Sequence, residues 1–204
     1  MSKLTHRTAP SCTYFVTTNT WQKRTLFDVR ENAEIVLAMM LEYRESGAYS
    51  VHEFVIMPDH LHVMITPSLE YTLEKSMQLI KGGSSRAIHL KRGHKMQIWQ
   101  SGFYEWTVRN AEDYSSKQRY IWQNPVSRGL VANAEQWILS SAAQKYHLDP
   151  MPEKLSRASG AEAPHKDRPF MSELKLRPPK RQIIGVTSPE VIGEIEFDPE
   201  SSGN

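Results

Sequence analysis

Two histidines one residue apart, and a tyrosine and an asparagine four residues apart, are the side chains here whose types and spacing could do chemistry. His60-Leu61-His62 follows Phe54-Val55-Ile56-Met57 and the break at Pro58-Asp59, so it opens the second of two short apolar strands. Strand side chains alternate faces, which sends His60 and His62 to one side and Leu61 and Val63 to the packed side. Two neighbouring imidazoles on a rigid strand make half of a divalent-metal site. An isolated His-x-His is ordinarily just two polar positions on a half-buried strand. The second pair changes that balance. Tyr120 and Asn124 share one face of a helix predicted over 110–124, a turn apart. A phenol beside an amide carbonyl that can ligate a metal suits attack on a phosphodiester polarised by a cation. A phenol's ordinary pKa is about 10, so it needs the metal or a nearby cation such as Lys117 or Arg119.

These residues need strands and helices to hold them, and the pattern supplies both. Thr13-Tyr14-Phe15-Val16-Thr17-Thr18 is β-branched and aromatic, a first strand. Asp28 and Glu31 resemble a capping box ahead of Ile35, Val36, Met39, Met40 and Tyr43 at helical spacing, with Gly47 as the stop. Tyr49–Met57 and His60–Thr66 read as an antiparallel pair. A second helix is expected from Thr72 to about His89, interrupted or kinked at Gly82-Gly83. Ile98–Arg109 is strand-like and carries Trp99, Phe103, Tyr104 and Trp106, rings that either pack the core or stack on unpaired bases. Asn110 suits an N-cap, and Pro125 is expected to end that helix at Asn124. Trp137, Ile138 and Leu139 are expected to close the core.

The chain of 204 residues, 39% hydrophobic and 24% charged, holds one sizeable core, expected over 1–149. A Pro-rich charged tail is expected over 150–204, basic at first and acidic at its end. The longest apolar run is too short to span a bilayer, no signal peptide opens the chain, and the lone Cys12 fits a reducing cytoplasm. A net charge of +2 does not by itself announce nucleic acid. Locally the picture differs, because Lys81, Arg86, Lys91, Arg92 and Lys95 follow one another with no acid between them. Such a run is either a solvated face or a surface for a phosphate backbone, and its companions favour the second. No P-loop pattern is present.

The sequence resembles a known family in Met57-Pro58-Asp59-His60-Leu61-His62, in Trp99-x-x-x-Phe103-Tyr104, and in Glu112-Asp113-Tyr114 with Tyr120-Ile121-x-x-Asn124-Pro125-Val126 and Gly129-Leu130-Val131. These look like the single-tyrosine transposases of the His-hydrophobic-His endonuclease superfamily, and most like the REP-associated branch, over about residues 10–140. The resemblance implies an α+β fold, a ferredoxin-like antiparallel sheet with helices covering one face. It implies Tyr120 as nucleophile, His60 and His62 as metal ligands, and Asn124 as the third ligand. The metal would be Mg²⁺ or Mn²⁺, the donor set favouring Mn²⁺. Tyr114 lies six residues before Tyr120 and is expected to pack inward. By that resemblance the protein nicks single-stranded DNA beside a hairpin and transfers the strand through a 5′-phosphotyrosine, as a bacterial cytoplasmic monomer or homodimer. The rival readings are a metal nuclease that uses water, and a hairpin-binding regulator without catalysis.

Overall fold

The computed structural model describes residues 12–157. Four strands form one antiparallel sheet: β1 (Thr13–Asn19), β2 (Tyr49–Met57), β3 (His60–Pro67) and β4 (Tyr104–Val108), in the spatial order β2-β3-β1-β4. Helix α1 (Arg30–Glu45) links β1 to β2, and helix α2 (Leu73–Arg92) links β3 to β4. That β-α-β-β-α-β order is ferredoxin-like. Helix α3 (Ala111–Ser127) follows β4, and a short helix α4 (Glu153–Arg157) comes near the end of the described residues.

Strand alternation divides the core between two faces. Tyr14 and Val16 of β1, Phe54 and Ile56 of β2, and Leu61, Val63 and Ile65 of β3 pack with Val36, Met40, Met77, Ile80 and Ile88 from α1 and α2. Phe15, Val55, Met57 and Met64 point the other way, against Tyr114 and Ile121 of α3 and Leu155 of α4. The expected cover of helices over one face is α1 with α2, and α3 lies across the opposite face. A β-bulge in β2, where the register shifts between Val51 and Glu53, turns both His52 and Glu53 towards α3. Leu139 is buried and Trp137 half-buried, with the Trp137 indole donating to the Ile56 carbonyl across 3.0 Å.

Three helix boundaries differ from the sequence expectation. Helix α1 starts at Arg30 after Val29 with no side-chain cap, so Asp28 does not act as its cap. Helix α2 runs unbroken through Gly82-Gly83 to Arg92 and ends at Gly93 in the left-handed conformation. Gly83 has a packing role, since a Cβ there would lie 2.9 Å from the Tyr43 ring of α1. Helix α3 is capped by Asn110, whose side chain accepts from Asp113 N–H at 2.8 Å, as expected. It does not stop at Asn124. Pro125 sits inside its last turn, and the chain leaves through a Schellman pair, Leu130 N–H to Pro125 C=O and Gly129 N–H to Val126 C=O. The beginning of the expected tail, with Leu155 of α4, packs on the α3 face. The rest of that tail lies outside the described residues.

Among the described residues, no helix is long and apolar enough to cross a membrane.

Candidate active site

Residues on β3, β1 and α3 converge on the sheet face that α3 covers. His60 and His62 project there from β3, both buried, with their Nε2 atoms 3.0 Å apart. Each ring is held by its other nitrogen. His60 Nδ1 faces Asp59 Oδ1 at 2.6 Å, and His62 Nδ1 faces Thr17 Oγ1 at 2.8 Å. A carboxylate accepts only, so His60 donates from Nδ1 to Asp59. The Thr17 hydroxyl can accept or donate, so it accommodates either tautomer of His62.

Helix α3 brings the phenol in. The Tyr120 ring meets the His62 ring edge-on with centroids 5.2 Å apart, and Phe15 lies beneath both, stacked on His62 at 5.4 Å. Burial raises the Tyr120 phenol above its ordinary pKa, while a hydrogen bond from Asn124 and the charge of Arg128 pull it back part of the way. Tyr120, Asn124 and Arg128 are spaced four apart and run along one flank of the helix. Arg128 Nη1 also lies 3.8 Å from Asp59 Oδ1, which links the helix end to the His60 partner. Burial, then the charges of His60 and Arg128, push His62 well below the ordinary imidazole pKa, so its ring is neutral at physiological pH. Burial works against the Asp59 carboxylate, but its hydrogen bond to His60 and the nearby charges hold it below the usual range.

The donor set fits a divalent cation. The amide oxygen of Asn124 is buried and has no hydrogen-bond partner among the described residues. An orphaned buried acceptor costs about 1–3 kcal/mol, which a cation would relieve. Among the described residues, no three His, Cys, Asp or Glu side chains gather to hold a metal. A third donor to such a cation would therefore be the Asn124 amide oxygen, a hard ligand beside two borderline imidazoles, a set that would suit Mg²⁺ or Mn²⁺. The outward Nδ1 partners, Asp59 and Thr17, are of the kind that orient metal-binding imidazoles.

The family comparison agrees with the fold. The family model described as "Transposase IS200 like" matches residues 8–124, more than half of the chain. The chain belongs to this transposase family. Members are DNA-processing enzymes, and the resemblance read from the motifs is borne out. The chain is similar to the REP-associated tyrosine transposase of Escherichia coli K12, at 26% identity over 138 residues, covering 67% of this chain and 78% of that protein. It also resembles a solved REP-associated tyrosine transposase bound to a REP hairpin, with a TM-score of 0.59 and 23% identity over 81% of this chain and all of the other. At that identity the likeness establishes the fold.

The remaining candidates fall elsewhere in this transposase. Tyr114 is buried beside His52, as expected for a packing residue. Lys117 places its ammonium over the Trp106 and Phe15 rings, at 4.7 Å and 5.5 Å from their centroids. Arg119 is exposed, and the charge that acts on the phenol is that of Arg128. The basic run lies on and after α2, a helix that packs on the sheet face opposite the histidines. Lys81 donates to the carbonyls of Gln100 and Gly102, Lys91 pairs with Glu31 at 3.0 Å, and Arg92 donates to Asn32 Oδ1 at 3.2 Å. Arg86 and Lys95 are exposed and make no such contact among the described residues. Sequence reasoning missed Thr17, Asp59 and Arg128 as parts of the site. Asp59 stood next to His60 and Arg128 continued the Tyr120–Asn124 spacing, but nothing in the sequence marked Thr17.

Proposed function

We propose that this transposase is a metal-dependent single-strand DNA endonuclease and strand transferase that works beside hairpins through Tyr120. The observation that carries the reading is a phenol hydrogen-bonded to Asn124 while its ring meets one of two buried histidines whose Nε2 atoms are 3.0 Å apart. His60, His62 and Asn124 would hold Mg²⁺ or Mn²⁺, which would polarise the scissile phosphodiester. The Tyr120 oxygen forms a bond to phosphorus and loses its proton. The bridging bond to the 3′ oxygen breaks, and that oxygen takes the electron pair and a proton, leaving a free 3′-hydroxyl and a 5′-phosphotyrosine. The bond energy is conserved for rejoining, so no nucleotide cofactor is required. Arg128 offsets the developing negative charge on the phenol. The hairpin itself would lie on the basic run, against Arg86, Lys91, Arg92 and Lys95, with Lys81 holding the segment before β4, in a bacterial cytoplasm.

The test is covalent capture. A hairpin oligonucleotide with a single-stranded flank, incubated with Mn²⁺, should give a protein–DNA adduct that survives denaturing electrophoresis. Tyr120→Phe should remove the adduct and keep hairpin binding. Nicking that persists in Tyr120→Phe without any adduct would favour water as nucleophile. No nicking by the wild-type chain would overturn the enzymatic reading.

A further inference from the structure

One aromatic residue on the site face of the sheet is left uncovered. The ladders align Val55, His62, Thr17 and Tyr104 in one row across β2, β3, β1 and β4. Residues directly opposite in a sheet share a face, so Tyr104 stands on the same side as His62 and Thr17. Further along β4 on that side, Trp106 and Val108 are packed into the core beneath α3, with the Lys117 ammonium over the Trp106 ring. Tyr104 is 40% exposed and makes no side-chain hydrogen bond among the described residues. A large ring left open at a sheet edge beside buried catalytic machinery has no packing explanation.

Its surroundings say what would lie there. Neighbouring strands are about 4.8 Å apart, so Tyr104 stands about 10 Å from His62, roughly three stacked nucleotide steps. On its other side, Lys81 of α2 ties down the carbonyls of Gln100 and Gly102, in the segment that leads into β4. Tyr104 is therefore at the sheet edge between the basic α2 surface and the histidines on the opposite face. A single strand passing from a hairpin on α2 to the scissile position crosses that edge.

Building on the proposed function, we infer that Tyr104 is a stacking platform for one unpaired nucleobase flanking the scissile phosphate. An aromatic face accepts any base and fixes strand position rather than sequence. The platform sets which phosphodiester reaches Tyr120.

The experiment pairs the side chain with the base. A REP hairpin extended by a single strand is first nicked by the wild-type chain with Mn²⁺ to locate the cut. Abasic residues are then placed one at a time through about three nucleotides on each side of it, and affinity is read by fluorescence anisotropy. At one position, loss of the base should weaken wild-type binding about five- to hundredfold and leave Tyr104→Ala binding unchanged. Tyr104→Ala should lose a similar factor on intact DNA, Tyr104→Phe should stay within about twofold, and both should melt like the wild type because the ring is open to solvent. If Tyr104→Ala binds intact DNA as the wild type does, or every abasic penalty persists in it, the platform is wrong while the nuclease reading stands. If the wild-type chain neither binds nor nicks the hairpin, both fall.

Discussion

Trp122 donates its indole N–H to the buried carboxylate of Glu53 across 2.8 Å, and Gln118 and Ser141 donate to the same carboxylate. Glu53 reaches α3 because the β2 bulge turns it there. At 3.6 residues per turn, Gln118 and Trp122 lie on one flank of the buried helical face, and Tyr120 and Asn124 on the other. Holding the first flank to β2 sets the rotation of α3, and that rotation points the second flank at His62. The carboxylate is thus part of what positions the phenol.

Glu53→Gln should test this clamp. Glutamine keeps one acceptor but turns an amide N–H₂ towards donors that then lack partners. It should cost about 2–3 kcal/mol in denaturant unfolding and reduce adduct formation further than hairpin affinity. Ser141→Ala, which removes one donor to the carboxylate and the acceptor of the buried Phe54 N–H, should cost about 1–3 kcal/mol. Adduct formation that falls only in proportion to the folded fraction would leave Glu53 with a purely structural role.

Much of this architecture was legible, for physical reasons that also explain the gaps. Period-two alternation along His60–Thr66 fixes which side chains face together, so the shared face of the two histidines followed from sequence alone. Local breaker rules were overridden by packing. Gly82-Gly83 reads as an interruption, yet α2 is continuous there, with Ile80, Ser84 and Ile88 buried and Gly83 admitting Tyr43. Pro125 reads as a stop, and ending the helix at Asn124 hid Arg128 one turn beyond. Thr17 was out of reach for a different reason. It meets His62 through strand pairing, and its 45-residue separation leaves no local trace.

That Thr17 hydroxyl gives a prediction about the metal. A cation held as proposed by both Nε2 atoms would need them bare, so His62 would have to donate from Nδ1 to Thr17 Oγ1. Thr17→Val keeps the shape and removes the acceptor, leaving that buried N–H unpaired. Mn²⁺ affinity, measured by calorimetry on the DNA-free protein, should fall about 10–100-fold. His62→Ala should abolish the binding, and Thr17→Ser should restore most of it. Equal Mn²⁺ affinity in Thr17→Val and wild type would remove Thr17 from the site.

A second ion pair, far from the site in sequence, predicts a dependence on pH. Asp149 accepts from Arg44 Nε at 2.6 Å, from Arg44 Nη2 at 3.1 Å, and from Val51 N–H at 2.8 Å. Burial raises its carboxyl, but the hydrogen bonds from Arg44 and Val51 and the Arg44 charge outweigh this and leave it below its ordinary value. A carboxylate depressed on folding stabilises the protein above its unfolded pKa of about 3.9 and loses that contribution as pH falls through the folded value. Asp149→Asn should therefore cost about 1–2 kcal/mol at pH 7, and the gap should close below about pH 4. A gap in unfolding free energy that stays constant down to acid would show that the charge contributes nothing.

The basic run should divide into two kinds of residue when DNA binding is titrated with salt. Lys81 is engaged with the Gln100 and Gly102 carbonyls, and burial lowers its pKa to about 8. Its main work is to pin the segment before β4. Lys91 pairs with Glu31 of α1 at the surface, where such contacts are worth under about 1 kcal/mol and yield readily to a phosphate, while Arg92 donates to the buried Asn32 of α1. Arg86 and Lys95 start without any such partner among the described residues. Each phosphate contact releases condensed counterions, so log affinity falls with log salt by about 0.9 per contact on duplex DNA. Arg86→Gln with Lys95→Gln should flatten the slope for a hairpin probe by nearly two units and leave the melting temperature unchanged. Lys81→Gln should lower the melting temperature and leave the slope nearly intact. If the double variant keeps the wild-type slope, those two cations are a solvated face and the hairpin lies elsewhere.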